Sequence, residues 1–527
     1  MSRFGLGSVN LTPGSNTTNL LFLTLVETFF HNEVFVNFSL IFLIYFLPFL
    51  GMYLISVELG IKPYLCGLIS LFYVINPFSI HFLSGLNQWN VFSLALIPVL
   101  FWIVLRYYHD NLKLFLYFGS FSALFSFAYT NHPLNATINI STIFAVFITS
   151  YYRKKSFFFS EIVKKYLLVF SAFLLFNCWW LLNMLKGVHT ALSVYKSDLA
   201  TDWLFSTIST VGNPLAKSLS LTHLAGSEGE SFLGDYFNTP FAFFAGLIPI
   251  SLVVFGIFFS RKESLNKLLI HIAILMLLTI FLLKGSAPPF GSIYLFLFKN
   301  VPFFNIFKTP VEKFGLLYTF LLSILLIFTL LAVKDPAHSR IGIIAFTGYL
   351  LFCMGPLLMG EMIPEISFGN AGTLSRKYKE KPSYTSFRRH INNERLEYKI
   401  LSLPGMGNYQ ILFDTSQGKK YSGIDPLLHN TNKGILTPHF DSEIKAFYGY
   451  MLNKTTHNLF GSFNIGKLVI NGDLQPWYGR VGTSNARELR SQYKNLPSKN
   501  FGNISAHTLS KNFVPVVHTA QNIILCK

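Results

Sequence analysis

The sequence predicts an all-α polytopic membrane domain of about ten transmembrane helices, followed by a small extracytoplasmic mixed α/β domain. Of its 527 residues, 51% are hydrophobic and only 13% are charged, whereas an ordinary soluble domain carries roughly 25% charged residues. This low charge and the mean hydropathy of +0.45 exclude a soluble enzyme and a disordered chain. The long unbroken apolar runs make an outer-membrane barrel unlikely. Charge is concentrated late: residues 1–361 carry 21 Lys and Arg against 14 Asp and Glu, and residues 362–527 carry 21 against 10.

Ten apolar segments are long enough to cross a bilayer. A hydrocarbon core of about 30 Å needs about 20 apolar residues of helix, and such segments must be helical because lipid offers no hydrogen bonds to the backbone. These segments fill a predicted transmembrane domain over residues 36–361. They are 36–57, 63–82, 90–106, 112–130, 134–151, 166–184, 239–259, 267–284, 314–333 and 341–360.

The basic residues predict which way the helices face. The loops fall into two alternating sets. One set holds thirteen Lys and Arg in total and the other holds six to eight. Cytoplasmic loops carry such an excess. The outer loops 185–238 and 285–313, the basic domain 362–527 and the segment 1–35 are therefore predicted to be extracytoplasmic. Within 1–35, Asn19–Phe30 is predicted to be an interfacial helix. No signal-like segment precedes it, so we expect a preceding helix to be missing from this chain.

The basic tail alternates helix-like and strand-like runs, typical of a small α/β domain. Its charge could attract anionic lipid phosphates or acidic glycans, and its predicted facing argues against nucleic acid as a partner. The four cysteines have neither a CxxC pair nor a His/Cys ligand spacing, so we predict no disulfide framework and no metal site. Helices are predicted at 382–394, 441–452 and 484–495, and strands at 398–403, 409–413, 465–470 and 513–518.

Several short motifs resemble those of large multispanning GT-C glycosyltransferases. KGSAPPF (284–290), PFFNIF (302–307) and KTPVEKF (308–314) lead directly into an apolar helix. This order is similar to the membrane domain of α-(1→3)-arabinofuranosyltransferase-like proteins, and the opening SRFGLGSVN resembles the stretch after their first outer-loop helix. Further similarities are NPF (76–78), WW (179–180), and YKILSLP (398–404) and NIGKLVI (464–470), which resemble two strands of the outer domain.

The resemblance implies a GT-C-like fold and sugar transfer from a polyprenyl-phosphate donor to a glycan or protein acceptor. It also implies contact with membrane lipids and residence in the plasma membrane. Some relatives use a divalent metal and others none, and nothing in this sequence decides between them. Relatives carry a catalytic Asp or Glu soon after their first helix and usually continue further at the C-terminus. The chain therefore resembles a family member that lacks its first helix and its extreme C-terminus.

Three outward carboxylates are candidates for the general base of such a reaction. Transfer needs a carboxylate to deprotonate the acceptor hydroxyl and cations to neutralise the leaving phosphate. Glu27 and Glu33 lie in the first outer loop, where this class places its base, and Glu312 lies at a helix mouth. The alternative for Glu27 and Glu33 is a solvated charge at the membrane surface.

Lys308 and Lys313, beside Glu312, are the strongest substrate-binding candidates. Ionisable residues entering a membrane helix are costly and are read as functional by default. We expect one of these lysines to contact a phosphate or sugar phosphate. The alternative is a structural ion pair between Lys308 and Glu312 at i,i+4 spacing, with Pro310 near the first turn.

Three further pairs in the outer loops are weaker substrate-binding candidates: Asp198 with Asp202, Asn131 with His132, and Gln88 with Trp89. The acidic pair could hold a cation or share a proton, or could be a solvated helix face. The Asn–His pair could hydrogen-bond a sugar or phosphate, or could form a turn before proline. The Gln–Trp pair could stack against a sugar, or could belong to the interfacial aromatic belt.

The sequence therefore favours a membrane glycosyltransferase-like protein. The alternative from another class is a non-catalytic membrane protein that binds or presents lipid-linked glycans in cell-envelope assembly. A transporter is disfavoured, because the spans hold almost no charged residues at mid-depth.

Overall fold

A computed structural model gives a mostly helical protein with a small sheet region. The chain divides into two compact units, one within residues 11–363 and the other within 364–527, and each is described by itself. The structure describes residues 28, 33–84, 88–129, 132–154, 159–195, 204–205, 214–222, 232–260, 263–333, 336–360, 365–367, 373–375, 381–394, 398–403, 411–414, 420–423, 433–436, 464–475, 490–491 and 493–509.

Helices make up nearly all of the described part of the first unit. Their composition is mostly apolar, as expected of helices whose backbone groups must be satisfied internally. In chain order they are α1 (Glu33–Glu58), α2 (Pro63–Ile75), α3 (Pro77–Ser84), α4 (Gln88–Tyr107), α5 (Asn111–Leu124), α6 (His132–Lys154), α7 (Phe159–Tyr195), α8 (Pro214–Leu219), α9 (Phe232–Phe237), α10 (Pro240–Gly246), α11 (Ile248–Phe259), α12 (Glu263–Leu283), α13 (Gly291–Asn300), α14 (Pro310–Ala332), α15 (Pro336–Cys353) and α16 (Gly355–Leu358).

Six stretches within the described residues are long and apolar enough to cross a membrane, and a bent pair of helices makes a possible seventh. All ten predicted segments overlap helices, but α4 and α15 contain only shorter apolar stretches, and α5 ends at Leu124, before a 3-10 turn at Ser126–Tyr129. The prediction of ten spans therefore remains a prediction. The six are Ile41–Glu58, Pro133–Arg153, Phe159–Leu182, Pro240–Phe259, Glu263–Leu283 and Pro310–Ala332.

Helix α14 is the most enclosed of these spans. Within the bundle 89% of it is buried, against 28–56% for the other five. Its sequence is apolar on every side after the first turn, and a helix of that kind is stable only when it is surrounded. The ring of Phe320 lies 6.3 Å from that of Tyr73 on α2 and 5.4 Å from that of Phe101 on α4. Helices α6, α11 and α12 also contact α14.

The predicted span 63–82 is broken in the structure, where α2 and α3 meet at an angle of 55°. The break falls at Asn76, because Pro77 has no N–H and disfavours helical backbone at the residue before it. The Asn76 amide donates to the carbonyls of Phe72 and Tyr73 at 2.8 and 3.0 Å, and its Oδ1 accepts the N–H of Ser79 at 3.0 Å. One buried side chain therefore satisfies backbone groups on both sides of the break.

The second unit contains two five-stranded sheets and one described helix, α17 (Pro382–Asn392). The sheet orders are β1-β2-β5-β4-β8 and β6-β3-β7-β10-β9. The strands are β1 (Glu365–Ser367), β2 (Thr373–Ser375), β3 (Lys399–Leu403), β4 (Ile411–Asp414), β5 (Lys420–Gly423), β6 (Gly434–Leu436), β7 (Ile465–Asn471), β8 (Leu474–Gln475), β9 (Ser498–Phe501) and β10 (Ile504–Thr508).

The core of this unit lies between α17 and the second sheet. Strands β3 and β7 run parallel, with Leu401 opposite Leu468, and are almost wholly buried. Helix α17 contributes Phe387, whose ring lies 5.6 Å from that of Phe501 on β9. The predicted strands 398–403, 409–413 and 465–470 coincide with β3, β4 and β7. The predicted helix 441–452, the strand 513–518, most of the helix 484–495 and nearly all of the interfacial helix lie outside the described residues.

Candidate functional site

The candidate site lies where α12 and α14 meet the segment that joins them. Lys284 follows α12, is only 3% exposed, and donates from its Nζ to the carbonyl oxygens of Ala287, at 2.8 Å, and Pro289. Gly291 then approaches so closely that a Cβ there would lie 2.0 Å from the Ser286 carbonyl oxygen. The Lys284 ammonium group therefore closes this turn from inside, and glycine is required where the chain re-enters helix α13.

Aromatic packing holds the segment that leads into α14. The Tyr294 hydroxyl on α13 donates to the Phe307 carbonyl at 2.7 Å, and its ring lies 5.3 Å from that of Phe304. Phe307 in turn packs against Phe314 in the second turn of α14, at a ring distance of 4.8 Å. The 3-10 turn Phe304–Phe307 is thus held on both sides, which places Lys308 directly ahead of the helix.

Two lysines and one carboxylate meet at the start of α14. Lys313 is 4% exposed at its side chain, and its Nζ lies 2.5 Å from Glu312 Oε2. The Glu312 side chain is 39% exposed, so one of its faces is open. Lys308 is half-buried. Because α14 begins at Pro310, the i,i+4 geometry of a helix does not apply to Lys308, and the ion pair of Glu312 is with its neighbour Lys313.

The electrostatics of this group favour an anionic ligand. Burial lowers the pKa of Lys308 to about 8, and the positive charge of Lys313 adds to that effect. The two ammonium groups are therefore close enough to repel each other. The N–H groups of the first turn of α14 add the positive end of a helix dipole. A phosphate would relieve this repulsion, and the open face of Glu312 could accept a proton.

The other predicted site residues are placed less completely. Glu33 begins α1, His132 begins α6, and Gln88 and Trp89 begin α4. Four of the candidates lie outside the described residues: Glu27, Asn131, Asp198 and Asp202. Of the predicted set, the structure brings together Lys308, Glu312 and Lys313. In the described ranges, no group of three or more His, Cys, Asp and Glu side chains could hold a metal ion.

Sequence analysis did not identify Lys284 as a structural residue, although it begins the KGSAPPF motif at a predicted membrane border. Its signal is the sequence that follows it, Gly-Ser-Ala-Pro-Pro. The two prolines donate no backbone hydrogen bond, so carbonyl groups in this turn need another donor. A buried lysine directly before such a turn supplies it.

The fold is GT-C-like. It is similar to the cryo-EM structure of the arabinofuranosyltransferase AftD from mycobacteria, with a TM-score of 0.50 at 10% sequence identity. The similarity covers 97% of this chain and 39% of that one, so the chain spans about two fifths of the length of AftD. Neither a protein-family model nor a curated protein matches the chain by sequence.

Proposed function

We propose that this protein is a membrane glycosyltransferase that transfers a sugar from a polyprenyl-phosphate donor to a glycan or protein acceptor. In this proposal the bundle has ten spans in the plasma membrane, and the second unit is extracytoplasmic. The observation that carries the proposal is the pair of lysines around Glu312 at the mouth of the enclosed helix α14. A GT-C-like fold around that group supports it.

The proposed roles follow from charge and exposure. Lys308 and Lys313 would bind the donor phosphate, and an exposed carboxylate would deprotonate the acceptor hydroxyl. The acceptor oxygen would attack the anomeric carbon as the bond from that carbon to the phosphate oxygen breaks. The electron pair would leave with polyprenyl phosphate, and the proton would pass to the carboxylate. Glu312 is our first candidate for that base, with Glu33 and Glu27 as the others.

Phosphate binding is tested first, with polyprenyl phosphate as the probe and the full chain in detergent. Native mass spectrometry should give a saturable complex that Lys308→Gln and Lys313→Gln each weaken by about tenfold, since charge-assisted hydrogen bonds contribute about 1.5–3 kcal/mol. Lys299→Gln is the matched control, because Lys299 is exposed in the last turn of α13. Equal effects of all three substitutions would contradict the proposed phosphate site.

Transfer is tested next in proteoliposomes, with a set of polyprenyl-phosphate pentoses and hexoses as donors. Glu312→Gln should abolish transfer while polyprenyl phosphate still binds. The non-catalytic alternative, a protein that presents lipid-linked glycans, is favoured by the ion pair that already engages Glu312. That alternative is supported if neutralising Glu27, Glu33 and Glu312 together changes neither donor binding nor the rate of transfer.

A further inference from the structure

An apolar slot opens between four helices, at the end of the bundle away from the candidate site. It contains about 570 Å³ of space that no atom fills, and this figure includes the open mouth of the slot. The slot lies between α2, α11, α14 and α15, and its lining includes Leu68, Phe255, Leu330, Ile343 and Phe346. Thr329 is the one residue of its lining with a polar side chain, so the slot is suited to a hydrocarbon ligand.

The slot reaches the surface of the bundle. Of the five residues named above, all but Phe346 are only half-buried. Side chains next to the lining residues are exposed and apolar: Tyr64 is 58%, Phe258 80%, Ile341 69% and Ile344 72% exposed. In a protein that spans a membrane, such a surface faces lipid rather than water. The surroundings of the slot therefore contain acyl chains.

Aromatic side chains pack behind the slot, between α2 and α15. Phe346 lines the slot, and its ring lies 5.4 Å from that of Phe72 on α2. The Phe72 ring also lies 6.1 Å from that of Tyr349, one turn further along α15. A chain that enters the slot would end against these rings.

Exposed cations flank the slot near the ends of the helices that form it. Lys62 immediately precedes α2, and Arg340 lies one turn before Ile343 on α15; both are exposed. Arg261, Lys262 and Lys334 directly follow the sequence of α11 and α14. The positive-inside rule predicts that this end faces the cytoplasm, whose leaflet is rich in anionic lipids.

We infer that the slot binds one acyl chain of an anionic glycerophospholipid of the inner leaflet, with the phosphate beside Lys62 and Arg340. Apolar burial would hold the chain, and the two cations would select a negatively charged headgroup. This site is separate from the proposed donor site. Along α14, Thr329 in the slot and Lys313 are 16 residues apart, or about 24 Å at 1.5 Å per residue.

The slot is tested by plugging it with one large side chain. Native mass spectrometry of the full, delipidated protein should give a single saturable complex with phosphatidylglycerol. Ile343→Trp should weaken that complex by about tenfold or more, because a ring would displace several methylene groups of the chain. Ile344→Trp is the matched control: it adds the same side chain at the next residue, which faces outward, and should change the affinity less than about twofold.

The headgroup is tested on variants that leave the slot intact. Lys62→Gln with Arg340→Gln should reduce affinity for phosphatidylglycerol to that for phosphatidylcholine with the same chains. Lys164→Gln, an exposed cation on α7, should leave the preference unchanged. Because these substitutions are on the surface, they keep the test valid even if Ile343→Trp fails to fold.

Three outcomes would overturn the inference. The first is equal weakening by Ile343→Trp and Ile344→Trp, and the second is equal affinity of the unsubstituted protein for the two lipids. The third is preferred binding of polyprenyl phosphate that Ile343→Trp weakens and Lys308→Gln does not, since the slot would then bind the donor. None of these results depends on glycosyl transfer, so the inference can fail while the proposed function stands.

Discussion

Arg106 on α4 donates to Glu58 at the end of α1, with 2.9 Å between Nη1 and Oε2. The other carboxylate oxygen of Glu58 accepts Nη2 of Arg153, on α6, at 3.2 Å. Glu58 is 15% exposed, so the contact is partly shielded from water. Three helices are thus joined at one end by a single carboxylate. The three loops that follow them are the ones that the basic residues predict to share one side of the membrane.

Removing this charge should loosen that end of the bundle. Glu58→Gln should lower the free energy of unfolding by about 1–2 kcal/mol, because two arginines lose a charged acceptor in a half-buried site. Glu263→Gln is the control: Glu263 pairs with Lys267, but both side chains are mostly exposed, and such pairs contribute about 0–1 kcal/mol. Thermal unfolding in detergent measures both. A larger loss for Glu263→Gln would disprove the role of Glu58.

Ligand binding at the proposed donor site should depend on pH through Lys308. Because its pKa is lowered to about 8, the side chain is charged at pH 7 and mostly neutral at pH 9. Affinity for polyprenyl phosphate should therefore fall across that interval. Lys308→Arg stays charged and should remove this fall. An identical pH profile for the two proteins would count against Lys308 as a phosphate ligand.

The same group should affect stability in the opposite direction. The unfolded chain keeps the lysine proton up to about pH 10.4, whereas the folded protein loses it near pH 8. The unfolded state then binds more protons between these values, so the contribution of Lys308 to the free energy of unfolding rises with pH there. Stability measured from pH 7.5 to 10 should show this rise in the unsubstituted protein and lack it in Lys308→Gln.

Lys284 should matter for the fold rather than for ligand binding. Lys284→Met leaves the carbonyls of buried Ala287 and exposed Pro289 without this donor. The unsatisfied Ala287 carbonyl should cost about 1–3 kcal/mol. Lys299→Met, on the exposed face of α13, should cost little. Melting temperatures compare the two variants. Equal melting temperatures would mean that the turn is held by other contacts.

A close contact between α11 and α14 gives a test of packing. A Cβ on Gly256 would lie 2.5 Å from Thr329 Cγ2, so Gly256→Ala should lower the free energy of unfolding by about 1–3 kcal/mol. Adding Thr329→Ala should restore much of it. Gly348→Ala is the control, because nothing lies within 4 Å of a Cβ there; it should be neutral or stabilise by up to about 1 kcal/mol. No recovery in the double variant would exclude the Thr329 contact as the cause.

Hydropathy predicted the helical segments because bilayer thickness sets the length of an apolar span, and an apolar run of that length is visible in the sequence. It did not predict the break at Asn76, which depends on one proline and one amide inside an otherwise continuous apolar run. It also missed β9 and β10. Strand β9 is exposed, and β10 is buried on both faces with Ser505 and His507 inside, so neither shows the alternation by which a strand is recognised.

The candidate site was partly predictable for a similar reason. A lysine at the mouth of a membrane helix is conspicuous in sequence, and this is why Lys308 and Lys313 are candidates. Their environment was not predictable. The pairing of Glu312 depends on where α14 begins, and the contacts of Glu58 join residues 48 and 95 positions apart. No local pattern contains such distances.

The enclosure of α14 has a consequence for the order of assembly. This helix is among the most hydrophobic of the candidate spans, yet it has almost no face left for lipid. Its neighbours α2, α4, α6, α11 and α12 all precede it in the chain, so they are translated before the helix that they enclose. The packed bundle therefore forms late in biosynthesis. A chain truncated before α14 would insert a set of helices that lack their common partner.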